Sequence, residues 1–213
     1  MKIYAYYQSI ATADQSEEFG CANLWKQSWE QHGWSPILLN RSHAQASMLY
    51  SKLQKKLISE FRQIPQELSS RIDWISARFV RWCALHAAGG GWLSDYDVIN
   101  KGFKPEIAED YQKTEKIYLD PTEQAHLIYV SADHIENCIK KIIHDPMFFK
   151  NVLIFEGLIL QSVSSSNKIK KLIQHVACKD GKTRSQLMKE IIESKGDSDV
   201  KIGRKKNLKK ILD

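Results

Sequence analysis

The chain has 213 residues, enough for one well-filled core, and its 43% hydrophobic and 26% charged residues exclude the disordered and fibrous classes. No apolar run reaches the roughly 20 residues that a membrane-spanning helix needs, so no integral membrane segment is expected. The formal net charge is +6, yet Lys201, Arg204, Lys205, Lys206, Lys209 and Lys210 stand against Asp213 alone, so five of those six charges belong to residues 200–213.

The opening KIYAYYQ (2–8) is rich in β-formers and predicts a strand. It lacks the apolar stretch and small-residue cleavage site of a secretory signal, and Cys21, Cys83, Cys138 and Cys178 form no CxxC pair, so reduced thiols and a cytoplasmic location are expected. Residues 16–32 predict a helix, with Phe19, Ala22, Leu24, Trp25 and Trp29 at helical spacing and Gly33 as its stop. SPILLN (35–40) predicts a short buried strand, giving a β-α-β opening with a parallel pair. Residues 44–67 then read as helical, with Met48, Leu49, Leu53, Leu57, Ile58 and Phe61 on one side and a break near Pro65. In the next helix Trp74, Ala77, Arg78, Arg81, Leu85 and Ala88 share a face, and the glycines at 89–91 end it. Beyond it, strands are predicted at 116–120 and 126–130 and helices at 135–143, 156–163 and 184–194. The pattern is α/β: a mixed, mainly parallel central sheet flanked by helices. Residues 164–167 and 196–199 resemble linkers, but they mark no domain boundary, so one domain is expected over 1–199, followed by a basic tail at 200–213.

The chemistry concentrates between Arg78 and Asp97. In GGGWLSDYDV (89–98) two carboxylates are one residue apart, and in an extended segment Asp95 and Asp97 would project to one face with Tyr96 opposite. Carboxylate oxygens are what Mg²⁺ and Mn²⁺ take, and Mg²⁺ is commonly held by one or two of them with substrate phosphates completing the shell. Arg78 and Arg81 lie three apart on the preceding helix, where guanidinium groups could hold phosphate or sugar oxygens through paired donors. A D-x-D alone commonly marks a turn or solvated loop. Set between an arginine helix and flanking strands, it reads as a site.

The segment RFVRWCALHAAGGGWLSDYDV, with Ser76 five residues before Arg81, resembles the sugar-binding DxD region of GT-A glycosyltransferases, the nucleotide-diphospho-sugar transferases. It is most similar to the group related to bacterial glucosylating toxins and fungal mannosyltransferases, whose pattern is S-D-x-x-R followed by G-G-x-Y-x-D-x-D. The resemblance covers about twenty residues densely, whereas the β-α-β opening and HLIYVSADHIENCIKKII agree more loosely. It implies a Rossmann-like GT-A fold and a retaining, metal-dependent transfer from a nucleotide diphosphate sugar, a UDP- or GDP-sugar, to an acceptor that is a glycan, lipid, protein or small molecule. By that resemblance Asp97 is the direct metal ligand, Asp95 holds the ribose or a metal-bound water, and Arg81 reaches the donor sugar or diphosphate. Two departures stand out. Arg78 occupies the pattern's Asp position, and the stretch GGGWLSD has one residue more than the pattern's G-G-x-Y-x-D.

Tyr6, Tyr7 and Gln8, at the end of the first strand, are candidates for a nucleobase stacking face and hydrogen-bonding edge, because ligands of open α/β sheets gather at the carboxyl ends of strands; a core or edge-strand role is the alternative. Glu156, an acid set in the apolar run LIFEGLIL, is the candidate general base for an inverting reaction, or else a first-turn helix acid. His126, His144 and His175 each lack a partner at metal-ligand spacing. Two other classes compete: an inactive nucleotide-sugar-binding protein of the same fold, and an anionic-polymer binder acting through the tail. No aromatic residues interleave with the tail's charges, so it reads first as a solvated run rather than a nucleic-acid platform.

Overall fold

In the computed structural model, which describes residues 1–8, 15–62, 72–112, 127–144, 173–175 and 182–193, strand β1 (Lys2–Tyr6) leads through helix α1 (Gln15–Glu30) to β2 (Ser35–Leu39). The short α2 (Arg41–Gln45), α3 (Tyr50–Phe61) and α4 (Ile72–Ala87) follow, and then β3 (Gly90–Ser94), β4 (Val98–Asn100) and α5 (Pro105–Gln112). After them come β5 (Leu127–Ser131), α6 (Ala132–His144), β6 (Ile173–His175) and α7 (Arg184–Glu193).

The main sheet has the order β2-β1-β3-β5, with β1 parallel to both β2 and β3, and with β5 antiparallel to β3. From β1 the chain steps one way to β2 and then returns past β1 to β3. Right-handed crossovers in opposite directions require helices on opposite faces, and the two apolar cores agree. Ile3, Ala5 and Trp92 pack with Trp25 and Trp29 of α1, while Tyr4, Tyr6 and Leu93 pack with Leu53, Phe79, Trp82 and Ile139 of α3, α4 and α6. The molecule is thus mixed α/β, with a four-stranded, mostly parallel sheet between helices, and among the described residues no helix is long and apolar enough to cross a membrane.

Three expectations are corrected. The first strand ends at Tyr6 rather than Gln8. Of the helix expected over 44–67, residues 63–67 with the break near Pro65 lie outside the described residues, and the described part is two helices with a break at 46–49, where the buried Ser47 hydroxyl accepts from Leu49 N at 3.2 Å and pairs with His86 Nδ1 at 3.0 Å. A serine bonding locally in this way offers the backbone an alternative to the helix. Met48 is left in the break at 77% exposure, and Ile58, one residue past the buried Leu57, is 50% exposed. Phe19 is also exposed, because at 3.6 residues per turn it lies about 120° round α1 from Trp25. The strand expected at 126–130 is β5, and the helices expected at 135–143 and 184–194 are α6 and α7. The elements expected at 116–120 and 156–163, both linker-like stretches and the basic tail lie outside the described residues.

Candidate functional site

The glycines and the carboxylates belong to opposite ends of one strand. Gly89 closes α4, its N–H reaching His86 O at 3.0 Å, and Gly90 opens β3. Both have positive φ, 90° and 76°, which L side chains rarely adopt. A Cβ on Gly90 would stand 2.5 Å from Ala132 N and 2.6 Å from Val130 O, so this glycine admits the backbone of the neighbouring β5–α6 corner. Five residues of β3 then carry the chain about 16 Å at ~3.3 Å per residue, and only at the far, carboxyl end do Asp95 and Asp97 appear.

There the expected extended segment is a turn. The strand stops at Ser94, and Val98 N donates to Asp95 O at 3.1 Å, closing Asp95–Val98. Asp95 and Asp97 therefore do not follow strand alternation, and each meets a different arginine. Arg81 Nη1 donates to Asp95 Oδ1 at 3.2 Å, and Arg184 Nη1 lies 3.3 Å from Asp97 Oδ2. Asp97 is only 6% exposed, and a carboxylate so far from water is costly without a counter-charge. Asp95 and Arg81 are partly buried, and Arg78 is half-buried one turn before Arg81 on the same helix.

Both ends of the turn are anchored from α1. Trp25 Nε1 donates to Ser94 Oγ at 2.7 Å, and Trp29 Nε1 donates to Val98 O at 3.1 Å; just past α1, Trp34 Nε1 donates to Phe103 O at 2.6 Å. Each bond joins residues 69 apart, so residues 25–34 and 94–103 run alongside one another in the same direction. Asn100, fully buried, accepts from Gly102 N and Phe103 N at 2.9 and 2.8 Å and gives Phe103 O a second donor. A rigid rail of indoles holds the carboxylate turn.

At the end of β1 the three nucleobase candidates separate. Tyr6 is buried on the α4 side of the sheet, and its hydroxyl donates to Gln8 Oε1 at 2.8 Å, so it orients Gln8 and its ring lies in the core. Tyr7 is half-buried and meets Tyr96 edge to face, with centroids 5.8 Å apart and planes at 83°. Strand order turns back at β1, and ligands of open α/β sheets bind outside the carboxyl ends of strands where this happens. Tyr7, Gln8 and the Asp95–Val98 turn, at the ends of β1 and β3, occupy that position.

Glu156 and His126 lie outside the described residues, His144 is an exposed residue ending α6, and His175 is paired in register with Val98 through β6. The residue that sequence reasoning missed is Arg184. Its only local signal is the capping pair that starts α7, in which Gln186 N donates to Thr183 Oγ1 at 3.2 Å and Thr183 N donates to Gln186 Oε1 at 2.9 Å. Nothing in that pattern points to Asp97.

Among the described residues no group of three or more His, Cys, Asp or Glu side chains is gathered for a metal. Asp95 and Asp97 are nonetheless the hard oxygen donors that Mg²⁺ and Mn²⁺ prefer, and a pair suffices when substrate oxygens complete the shell, so the donor chemistry fits such an ion. No curated protein and no solved structure matches the chain. A family model matches residues 1–211, and the chain belongs to that family, described as Domain of unknown function (DUF8765).

Proposed function

We propose that the chain is a metal-dependent glycosyltransferase of the GT-A type, taking a sugar from a UDP- or GDP-sugar and passing it to an acceptor nucleophile. One observation carries the reading: a turn with two carboxylates, each against an arginine, stands at the carboxyl ends of parallel strands where the strand order turns back. The DxD resemblance of residues 78–98 supplies the reaction class.

In this reading Asp95 and Asp97 hold Mn²⁺ or Mg²⁺, which when bound supplies positive charge that stabilises the leaving diphosphate. Tyr7 and Tyr96 offer aromatic surface to the nucleobase, and the amide of Gln8, held by the Tyr6 hydroxyl, offers its hydrogen-bonding edge. Arg81 sits beside Asp95 and donates to diphosphate oxygens. Such a bond strengthens as charge builds on them, so it favours the transition state over the ground state. The bonds from Trp25 and Trp29 fix the turn beforehand, so little reorganisation is needed when charge moves. Arg78 stands where the resembling pattern has an aspartate and presents a cation to the donor instead.

The test is a thermal-shift titration of the wild type and Asp97→Asn with UDP, GDP and their sugars, each with and without Mn²⁺. A nucleotide at about 100 times its Kd stabilises the fold by ~2.7 kcal/mol. One base is expected to raise the melting temperature only with Mn²⁺, and Asp97→Asn to abolish the response. No response to any nucleotide under any metal condition would overturn the reading, and binding without release of nucleoside diphosphate from the sugar would reduce it to a binding protein.

A further inference from the structure

We infer that Arg184 is a stand-in for the divalent cation at Asp97 and becomes a ligand of the donor's diphosphate once that cation is bound. The inference rests on the sugar-nucleotide reading above and adds a residue from a separate part of the chain. A carboxylate as buried as Asp97 needs a positive neighbour in every state, and in this state Arg184 Nη1, 3.3 Å away, provides it.

The arginine is held at its base and reaches outward. Its backbone opens α7, which is capped by Thr183 and Gln186, and Met188 on the same helix is fully buried in the α1-side core. The adjacent Ser185 lies so close to α1 that a Cβ on Gly20 would stand 2.5 Å from its Oγ. The Arg184 side chain itself is 40% exposed, against 14% for Arg81. A long side chain on a fixed helix, half in water, can turn its guanidinium through its own rotamers while the helix stays in place. A cation arriving at Asp97 both replaces the guanidinium's partner and repels it. The nearest new anion is then the diphosphate that the cation brings, and a guanidinium can grip two of its oxygens at once.

The inference predicts opposite effects of one substitution on two ligands. Mn²⁺ affinity without nucleotide would be measured by the paramagnetic resonance of the free ion, and UDP and GDP affinity at saturating Mn²⁺ by calorimetry, for the wild type, R184Q and R184K, after circular dichroism shows each to be folded. R184Q is expected to bind Mn²⁺ about tenfold more tightly, having lost the competing charge, and to bind the nucleoside diphosphate about tenfold more weakly, the scale of one charged hydrogen bond. R184K should restore the competition with Mn²⁺ but not the paired hold on the diphosphate. An R184Q protein that binds Mn²⁺ no more tightly than the wild type overturns the inference, even if UDP or GDP binds with Mn²⁺ and the glycosyltransferase reading stands. If R184Q gains Mn²⁺ affinity while neither nucleotide binds any of the proteins, the stand-in role is supported and the sugar-nucleotide reading falls together with the diphosphate role.

Discussion

Gly90 separates two accounts of the triple glycine: backbone that admits a ligand, or backbone that admits the rest of the fold. Replacing it with alanine sets a Cβ 2.5 Å from Ala132 N, 2.6 Å from Val130 O and 2.9 Å from Ser131 C, all main-chain atoms with no rotamer to relieve the clash. It also places a side chain at φ 76°. The left-handed conformation costs ~1–2 kcal/mol, and overpacking a tight interior adds ~1–3 kcal/mol, so Gly90→Ala should lose ~2–5 kcal/mol from a total of typically ~5–15 kcal/mol. Gly89 is the internal control: its φ is 90°, but nothing stands within 4 Å of its would-be Cβ, so Gly89→Ala carries the conformational cost alone. Urea unfolding followed by tryptophan fluorescence gives both values, and the difference between the variants isolates the clash. Equal losses, within ~0.5 kcal/mol, would refute the packing account. So would a Gly90→Ala protein of undiminished stability that fails to bind nucleotide.

Three further outcomes are expected. Trp25→Phe removes the donor to Ser94 Oγ and leaves that hydroxyl buried without it, a loss of ~1–3 kcal/mol in urea unfolding; because Ser94→Ala removes the same bond, the double variant should lose clearly less than the sum of the two, and strict additivity would deny the coupling. The Glu136 carboxyl is held below its ordinary 4.5 by Lys140, whose Nζ lies 2.6 Å from it, and by His86. A depressed carboxyl contributes stability that is present above its unfolded value and is lost as pH falls through the folded value, so the stability gap between wild type and Glu136→Gln should narrow as pH falls below 4.5; a gap unchanged on acidification would disprove it. Burial pushes the Cys83 thiol up to about 12, so it should resist iodoacetamide at about pH 8 in the native protein and react in urea, as mapped by peptide mass; native labelling of Cys83 would contradict its burial.

What the sequence revealed was local, and what it hid depends on contacts between distant segments. The β-α-β opening was legible because strand residues, a helical run ending at Gly33 and a second apolar strand follow one another without interruption. Spacing misassigned Phe19, Met48 and Ile58, since residues three or four apart share a face only approximately, and a single serine at 47 that bonds sideways can end a helix that periodicity would continue. The shape of the motif was misread. Its glycines and carboxylates are adjacent in sequence, yet β3 holds them at opposite ends, and the carboxylates occupy a turn rather than an extended segment. Arg81 did come to Asp95, as a residue whose helix runs back against the strand that follows it. Arg184 could not be foreseen, because only the docking of α7 against α1 brings it there.

That docking makes α1 the common support for both members of the second ion pair. On one part of its surface, Trp25 and Trp29 hold the ends of the Asp95–Val98 turn and so set where Asp97 stands. On another, Gly20 lets Ser185 approach so closely that any larger residue would meet its hydroxyl, and Cys21 Sγ lies 3.8 Å from the same oxygen. A glycine inside a helix costs ~1 kcal/mol relative to alanine, and here that cost coincides with the contact that sets where Arg184 begins. The carboxylate and its arginine are thus each referred to one rigid helix rather than to each other. On the Arg184 inference above, their ion pair opens by rotation of the arginine side chain while both backbones stay in place.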